Sequence, residues 1–281
     1  MKRMIYRIAK LLNHNSFIGI ESGAKQECLI MGKGIAFGKK IGQTIEVPQD
    51  ARIYSLKELT DRGDAREIIN SVSPVCLELA NEILREAEAE FGDIDRSILF
   101  PIADHLDFAI RRLQRGEQIS NPLTEDIRIL FYKEYKVAGC IAPMLKEKFQ
   151  IELDEHETGY IALHVHSAIV DEKVSQAMEI ARTVRECISL VEKETGNSID
   201  VMSLAYNRLM NHVRYMVARA IHGEKLKMNL NDYMSVKFPE AFHASERICR
   251  EMEKRLGLPM PDIEIGYLAI HLERMLDSET E

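Results

Sequence analysis

His105, His164, His212 and His271 form two pairs of one spacing, 59 residues within each pair and 107 residues from one pair to the other. Each has a charged residue seven positions away: Arg112 after His105, Arg219 after His212, Glu157 before His164 and Glu264 before His271. Seven residues make two turns of an α-helix, so on a helix each imidazole shares a face with its charge. A neutral imidazole, with an unperturbed pKa of about 6.5, is a nucleophile that can accept a phosphoryl group and give it up again. Phosphate would bring about two negative charges to a packed helix pair, where a nearby arginine can capture them and the interface shifts. Arg112, Arg219 and Asp104, the carboxylate next to His105, are the candidate neighbours of such a phosphate.

Two other roles compete. The Arg–Glu pairs and hydrogen-bonded histidines could simply tie two helices together, or His156, His164 and His166 could ligate a metal with Asp104 and His105. Against the metal, Ile263 and Glu273 replace His156 and His166 in the second pair's surroundings, and a helical spacing of two points His164 and His166 to different faces. No metal, cofactor or catalytic residue is therefore expected.

The elements that must position these residues are repeated. The offset of 107 superposes DHLDFAIRRLQRGE (104–117) on NHVRYMVARAIHGE (211–224) and ETGYIALHVHSA (157–168) on EIGYLAIHLERM (264–275), so two copies of one domain are expected. Apolar residues recur at spacings of three and four from about residue 65, with Ser73-Pro74 as a helix start and breaks at Gly92, Gly116, Gly196, Gly223 and Gly257. The copies read as all-α bundles over residues 63–171 and 172–281.

Residues 1–62 have another texture. Short β-type runs (MIYRIAKLL, SFIGI, ECLIM, GIAF, QTIEV, ARIYSL) alternate with turn signals, predicting six strands in a small antiparallel sheet or barrel that would gain from dimerising. The chain as a whole is thus expected to be α+β and multidomain. Residues 1–57 hold ten Lys and Arg against four Asp and Glu, whereas the rest carries 27 against 41. A basic head on an acidic body suits a module that touches nucleic acid. Within it, the amides of Asn13 and Asn15, the glycines Gly32 and Gly34, an aromatic ring at Phe37 and the cations Lys10, Lys39 and Lys40 suit contacts to bases and phosphates. Asparagine and Gly-x-Gly are also ordinary turn devices, and Phe37 could belong to the core.

The 281 residues, 46% hydrophobic and 29% charged, suffice for two or three cores. Without about 18 consecutive apolar residues, no membrane span is predicted. The start, MKRMIYRIAK, lacks the features of a signal peptide, so the protein is expected in the cytosol. Five scattered cysteines without a C-x-x-C pair point to reduced, mostly buried thiols.

NHN with MGKGIAFGKK, then DHLDFAI, GYIALHVHSA, NHVRYMVAR and GYLAIHLERM in that order, resembles the BglG/SacY family of transcriptional antiterminators over essentially the whole chain. The ALHVHSA run leans towards its glucose-type members. The resemblance implies an N-terminal RNA-binding domain that grips a leader-mRNA hairpin as a homodimer and keeps an overlapping terminator from forming. It also implies two PTS regulation domains phosphorylated by HPr and by a sugar-specific permease component. Carried onto this chain, the RNA contacts fall on Lys10, Asn13, Asn15, Gly32, Lys33, Gly34 and Phe37, and the phosphorylated histidines are His105, His164, His212 and His271. Asn211 stands where the first copy has Asp104, so the copies are expected to differ in donor or in the sign of their effect. The competing readings are a histidine-rich metal-dependent phosphohydrolase and a DNA-binding, PTS-regulated transcription factor. The latter ranks lower because no helix-turn-helix precedes the helical copies.

Overall fold

A computed structural model describes residues 4–277 except 24, 58, 61–62, 171, 197–198, 200–202, 225 and 258. Residues 62 and 171, where the expected domain boundaries fall, lie outside them. β1 (Ile5–Asn13), β2 (Ser16–Glu21), β3 (Glu27–Met31), β4 (Thr44–Glu46) and β5 (Arg52–Ser55) pair antiparallel in the order β4-β1-β2-β3-β5. Alternation sets the inner face: Tyr6 and Ile8 are buried while Ile5 and Arg7 are exposed. With Phe17, Cys28, Ile30, Ala36, Ile45 and Val47 they form the core of this module. Each large apolar side chain fully buried there contributes about 1.5–3 kcal/mol.

The expected fourth strand, GIAF, is instead a chain of turns. Gly34 and Gly38 have φ of 66° and 69°, a left-handed backbone that a strand excludes and that glycine adopts without strain. Ile35 N–H donates to Gly32 O and Phe37 N–H to Gly34 O, closing successive turns that bury Ala36 and leave Phe37 outside. A short hairpin, β6 (Leu59–Thr60) with β7 (Gly63–Asp64), leads into the helices.

The chain divides into two compact units, residues 1–120 with 133–171, and residues 121–132 with 172–281. The first unit holds the sheet and α1 (Ala65–Ser71), α2 (Pro74–Phe91) and α3 (Leu99–Gln114). Ser73 is the N-cap of α2 with Pro74 in its first turn, as the Ser-Pro signal predicts. The next helix, α4 (Thr124–Leu130), belongs to the second unit. α5 (Tyr132–Ala138), α6 (Ala142–Phe149) and α7 (Glu155–Ile169) follow, and α3 packs against α2 and α7. Asp154 caps α7 through the Glu157 N–H at 2.8 Å, which fixes the helix that carries His164.

The second unit contains α8 (Val174–Thr195), α9 (Leu204–His222), α10 (Asn231–Lys237), α11 (Pro239–Leu256) and α12 (Ile263–Asp277). Residues 124–130 and 231–237 correspond under the repeat, yet they pack differently: α10 lies on α11 and α12 of its own copy, while α4 lies on α8 and α9. Leu123, Ile127 and Leu130 bury the apolar face of α4, and Arg214 donates to the Leu130 carbonyl at 3.1 Å. Among the described residues no helix is long and apolar enough to cross a membrane. All five cysteines are free, and only Cys140 is not fully buried.

Candidate functional site

In the second copy, α9 presents His212 and α12 presents His271, and their rings stack at 4.5 Å between centroids with 25° between planes. One turn before His271, Tyr267 lies parallel to His212 at 6.4 Å. Two turns from the histidines, Arg219 Nε and Nη2 donate to the two oxygens of Glu264 at 2.7 and 2.8 Å. Glu264 is 1% exposed, so this fork is a desolvated cross-tie between α9 and α12. Burial, then the neighbouring His271 and Arg219, push the His212 pKa down to about 3. Burial, with Arg274 and Arg208, also lowers that of His271. His212 is therefore neutral at physiological pH, the protonation state that carries a lone pair for attack on phosphorus.

The first copy repeats the arrangement on α3 and α7. His105 and His164 lie 5.3 Å apart at 47°, and Tyr160 is 5.9 Å from His105. Glu157 is fully buried; it pairs with Arg112 and stands 3.2 Å from His105 Nε2. The structure thus brings together both histidines, the arginine and the glutamate of each copy. Asp104 is half-buried beside His105, whereas Asn211 is exposed and donates to Asn207 O at 2.9 Å. Tyr160 and Tyr267 were repeated in the sequence but given no role there; their position four residues before the second histidine is the signal that places them on its face. His166 does not join the pair. Its Nδ1 lies 3.0 Å from Glu134 Oε1, and among the described residues no three His, Cys, Asp or Glu side chains converge on a metal position.

Asn13, Asn15, Gly32, Gly34 and Phe37 come together at one end of the sheet, and Lys10 lies further back on β1. Asn13 Oδ1 accepts from Asn15 N–H and Ser16 Oγ–H at 2.8 and 2.9 Å, and Asn15 Oδ1 accepts from Gly34 N–H at 2.8 Å. Gly32 N–H donates to Asn15 O and Ala36 N–H to His14 O, which zips the β1–β2 turn to residues 32–37. Phe37 is 68% exposed and meets His14 edge-on at 5.3 Å. Lys10, Lys33 and Gly34 are exposed as well. Amide donors, an open aromatic face and the Lys33 cation on one loop cluster, with Lys10 on the adjoining strand, have the chemistry of a surface that reads unpaired bases.

Fold and site together define a two-part regulator, a small β-module for nucleic acid governed by duplicated helical domains with half-buried histidine pairs. The CAT RNA binding domain family matches residues 6–62, and the PRD domain family matches twice, at 67–168 and 185–275. The chain belongs to the BglG/SacY family, in which one CAT domain precedes two PRD domains. Transcription antiterminator LicT of Bacillus subtilis is 27% identical over 274 residues, covering 96% of this chain and 99% of that protein. The beta-glucoside operon antiterminator of Dickeya chrysanthemi is 26% identical, covering 96% of each. A crystal structure of GlcT CAT-PRDI superposes with a TM-score of 0.50 at 28% identity, over 59% of this chain and 99% of that one. These matches favour RNA over DNA as the ligand of the N-terminal module and do not favour the phosphohydrolase.

Proposed function

We propose that this protein is a transcriptional antiterminator that binds a hairpin of leader mRNA as a homodimer and so prevents terminator formation. His105, His164, His212 and His271 accept phosphate from HPr and from a sugar-specific permease component of the phosphotransferase system. The protein works in the cytosol without catalytic turnover. Lys10, Asn13, Asn15, Gly32, Lys33, Gly34 and Phe37 make the RNA contacts.

The observation that carries this reading is the close imidazole pair beside a buried Arg–Glu ion pair, present in both PRD domains, with His212 of the second held neutral. An imidazole nitrogen attacks the phosphorus of the phosphorylated donor, the bond from phosphorus to the donor side chain breaks, and that side chain leaves with the electron pair. The new phosphate sits near a buried carboxylate, which it repels, and near a guanidinium, which it attracts. Transfer of Arg219 from Glu264 to the phosphate would cut the cross-tie between α9 and α12, and Arg112 would do the same between α3 and α7. Breaking a buried pair of this kind costs about 3–5 kcal/mol, enough to move one packed helix pair between two arrangements.

The test is a gel shift of the full chain with a structured leader hairpin, with duplex DNA and a scrambled hairpin as competitors, before and after phosphorylation. Selective hairpin binding that changes with phosphate on the four histidines is expected. Equal binding to all three nucleic acids, or label on none of the four, refutes it.

A further inference from the structure

Three of the side chains assigned above to RNA are held by helices α1 and α2. Lys10 Nζ donates to Asn70 Oδ1 at 2.9 Å. Asn13 Nδ2 and Asn15 Nδ2 both donate to Glu78 Oε1, at 3.0 and 2.8 Å. The other oxygen of Glu78 takes Lys148 Nζ at 3.1 Å, and the Glu78 side chain keeps only 17% exposure. Both asparagine carbonyls are already committed within the module, to Asn15 N–H and Ser16 Oγ–H and to Gly34 N–H. The Nδ2 groups are thus the hydrogen-bonding ends that the two amides offer outside it, and Glu78 takes both.

The contact continues along α2. Glu78, Asn81 and Glu88 follow at spacings of three and seven, one polar stripe on the helix. Asn81 Oδ1 accepts from Tyr54 Oη–H of β5 at 2.8 Å, and Glu88 pairs with Arg52 at 2.8 Å and with Arg96. A carboxylate that receives two amide donors occupies the place of a phosphate oxygen or base carbonyl, and its charge repels any polyanion that approaches the same donors.

We propose that the α2 stripe, headed by Glu78, is an intramolecular competitor of RNA: the β-module docks on it through its RNA-reading amides, and RNA binds only when Glu78 releases Asn13 and Asn15. This rests on the reading that those two amides touch RNA. The closed arrangement lowers the apparent RNA affinity by the fraction of molecules in which the amides are released. Two charge-assisted hydrogen bonds in a partly exposed setting set that factor at about tenfold.

The probe is a hairpin enriched from a randomised-loop RNA pool by the wild-type full-length chain. Its affinity is measured for the full chains of wild type, Glu78→Ala, Glu78→Gln, Asn15→Ala and the Asn15→Ala/Glu78→Ala double variant, with thermal melts alongside. Glu78→Ala is expected to bind about tenfold more tightly. Glu78→Gln, which keeps the shape and drops the charge, moves the same way by less. The double variant gains less over Asn15→Ala than Glu78→Ala gains over wild type, because one contested donor is gone. If both Glu78 variants bind at or below wild-type affinity while Asn15→Ala weakens binding, Glu78 is a scaffold contact; the proposal falls and the RNA reading of Asn15 stands. If Asn15→Ala binds like wild type, or no hairpin is enriched, the RNA reading fails and takes the proposal with it.

Discussion

Acid should weaken the second unit through one residue, His212. In the folded chain its pKa lies at about 3, against 6.5 for an unperturbed imidazole, so below about pH 6.5 the unfolded chain binds a proton that the folded chain refuses. Stability therefore rises with pH across this window: the contribution is complete above 6.5 and is lost progressively as pH falls towards 3. At 1.36 kcal/mol per pH unit, a drop to about pH 5 removes about 2 kcal/mol. His271, with Arg219, Arg208 and Arg274, sets the positive surroundings and adds a smaller loss of the same sign through its own lowered pKa. The assay is urea unfolding of the full chain at about pH 7, 6 and 5, for wild type and His212→Gln. The variant has no imidazole to protonate, so its stability falls less over this range, by about 2 kcal/mol. Subtracting the two curves cancels other acid-sensitive groups such as Asp126, whose pKa burial raises. Identical pH slopes would refute the buried, neutral His212 and with it the basis for its nucleophilicity.

Glu264→Gln leaves the Arg219 guanidinium without its counter-charge; as Arg219 keeps 17% exposure, the loss falls at the low end for a broken buried pair, about 3 kcal/mol, read from the urea transition of the second unit. If the exposed Phe37 ring stacks on a base, Phe37→Ala should weaken hairpin binding by about 1–3 kcal/mol and leave the melting temperature unchanged, since the ring lies outside the core; an unchanged affinity returns Phe37 to a turn residue. Arg112→Ala should blunt the change in hairpin affinity that phosphorylation causes, with binding by the unphosphorylated chain retained, and a full response in the variant removes Arg112 from the mechanism.

The histidine quartets were legible because repetition at a fixed offset separates what is kept from what drifts, and a helical spacing of seven converts that list into a face. Each Arg–Glu fork follows from Arg112 with Glu157 and Arg219 with Glu264. The GIAF strand was misread because its apolar residues imitate a buried strand, while the decisive fact is the left-handed backbone at Gly34 and Gly38. Sequence placed the asparagine turn between the first two strands and the Gly32–Lys40 run two strands later, as separate segments; the carbonyl of Asn15 bonded to Gly34 N–H joins them, a non-local contact that no period encodes. Glu78 had no signal, being one glutamate among five on α2, and its role depends on which surface the helix meets. The packing of α4 was illegible for the same reason, because TEDIRIL offers an apolar stripe but not the identity of its cover.

That stripe alters what the duplication means. Residues 121–132 come from the first copy by descent and lie in the second by packing, and the backbone then returns to the first unit at 133. A recombination junction near residue 171 would carry off the helices that bury Leu123, Ile127 and Leu130, and any incoming copy would have to supply a groove for a foreign helix. A change on the buried face of α4 therefore has its compensating positions on α8 and α9, beyond the first copy's own helices.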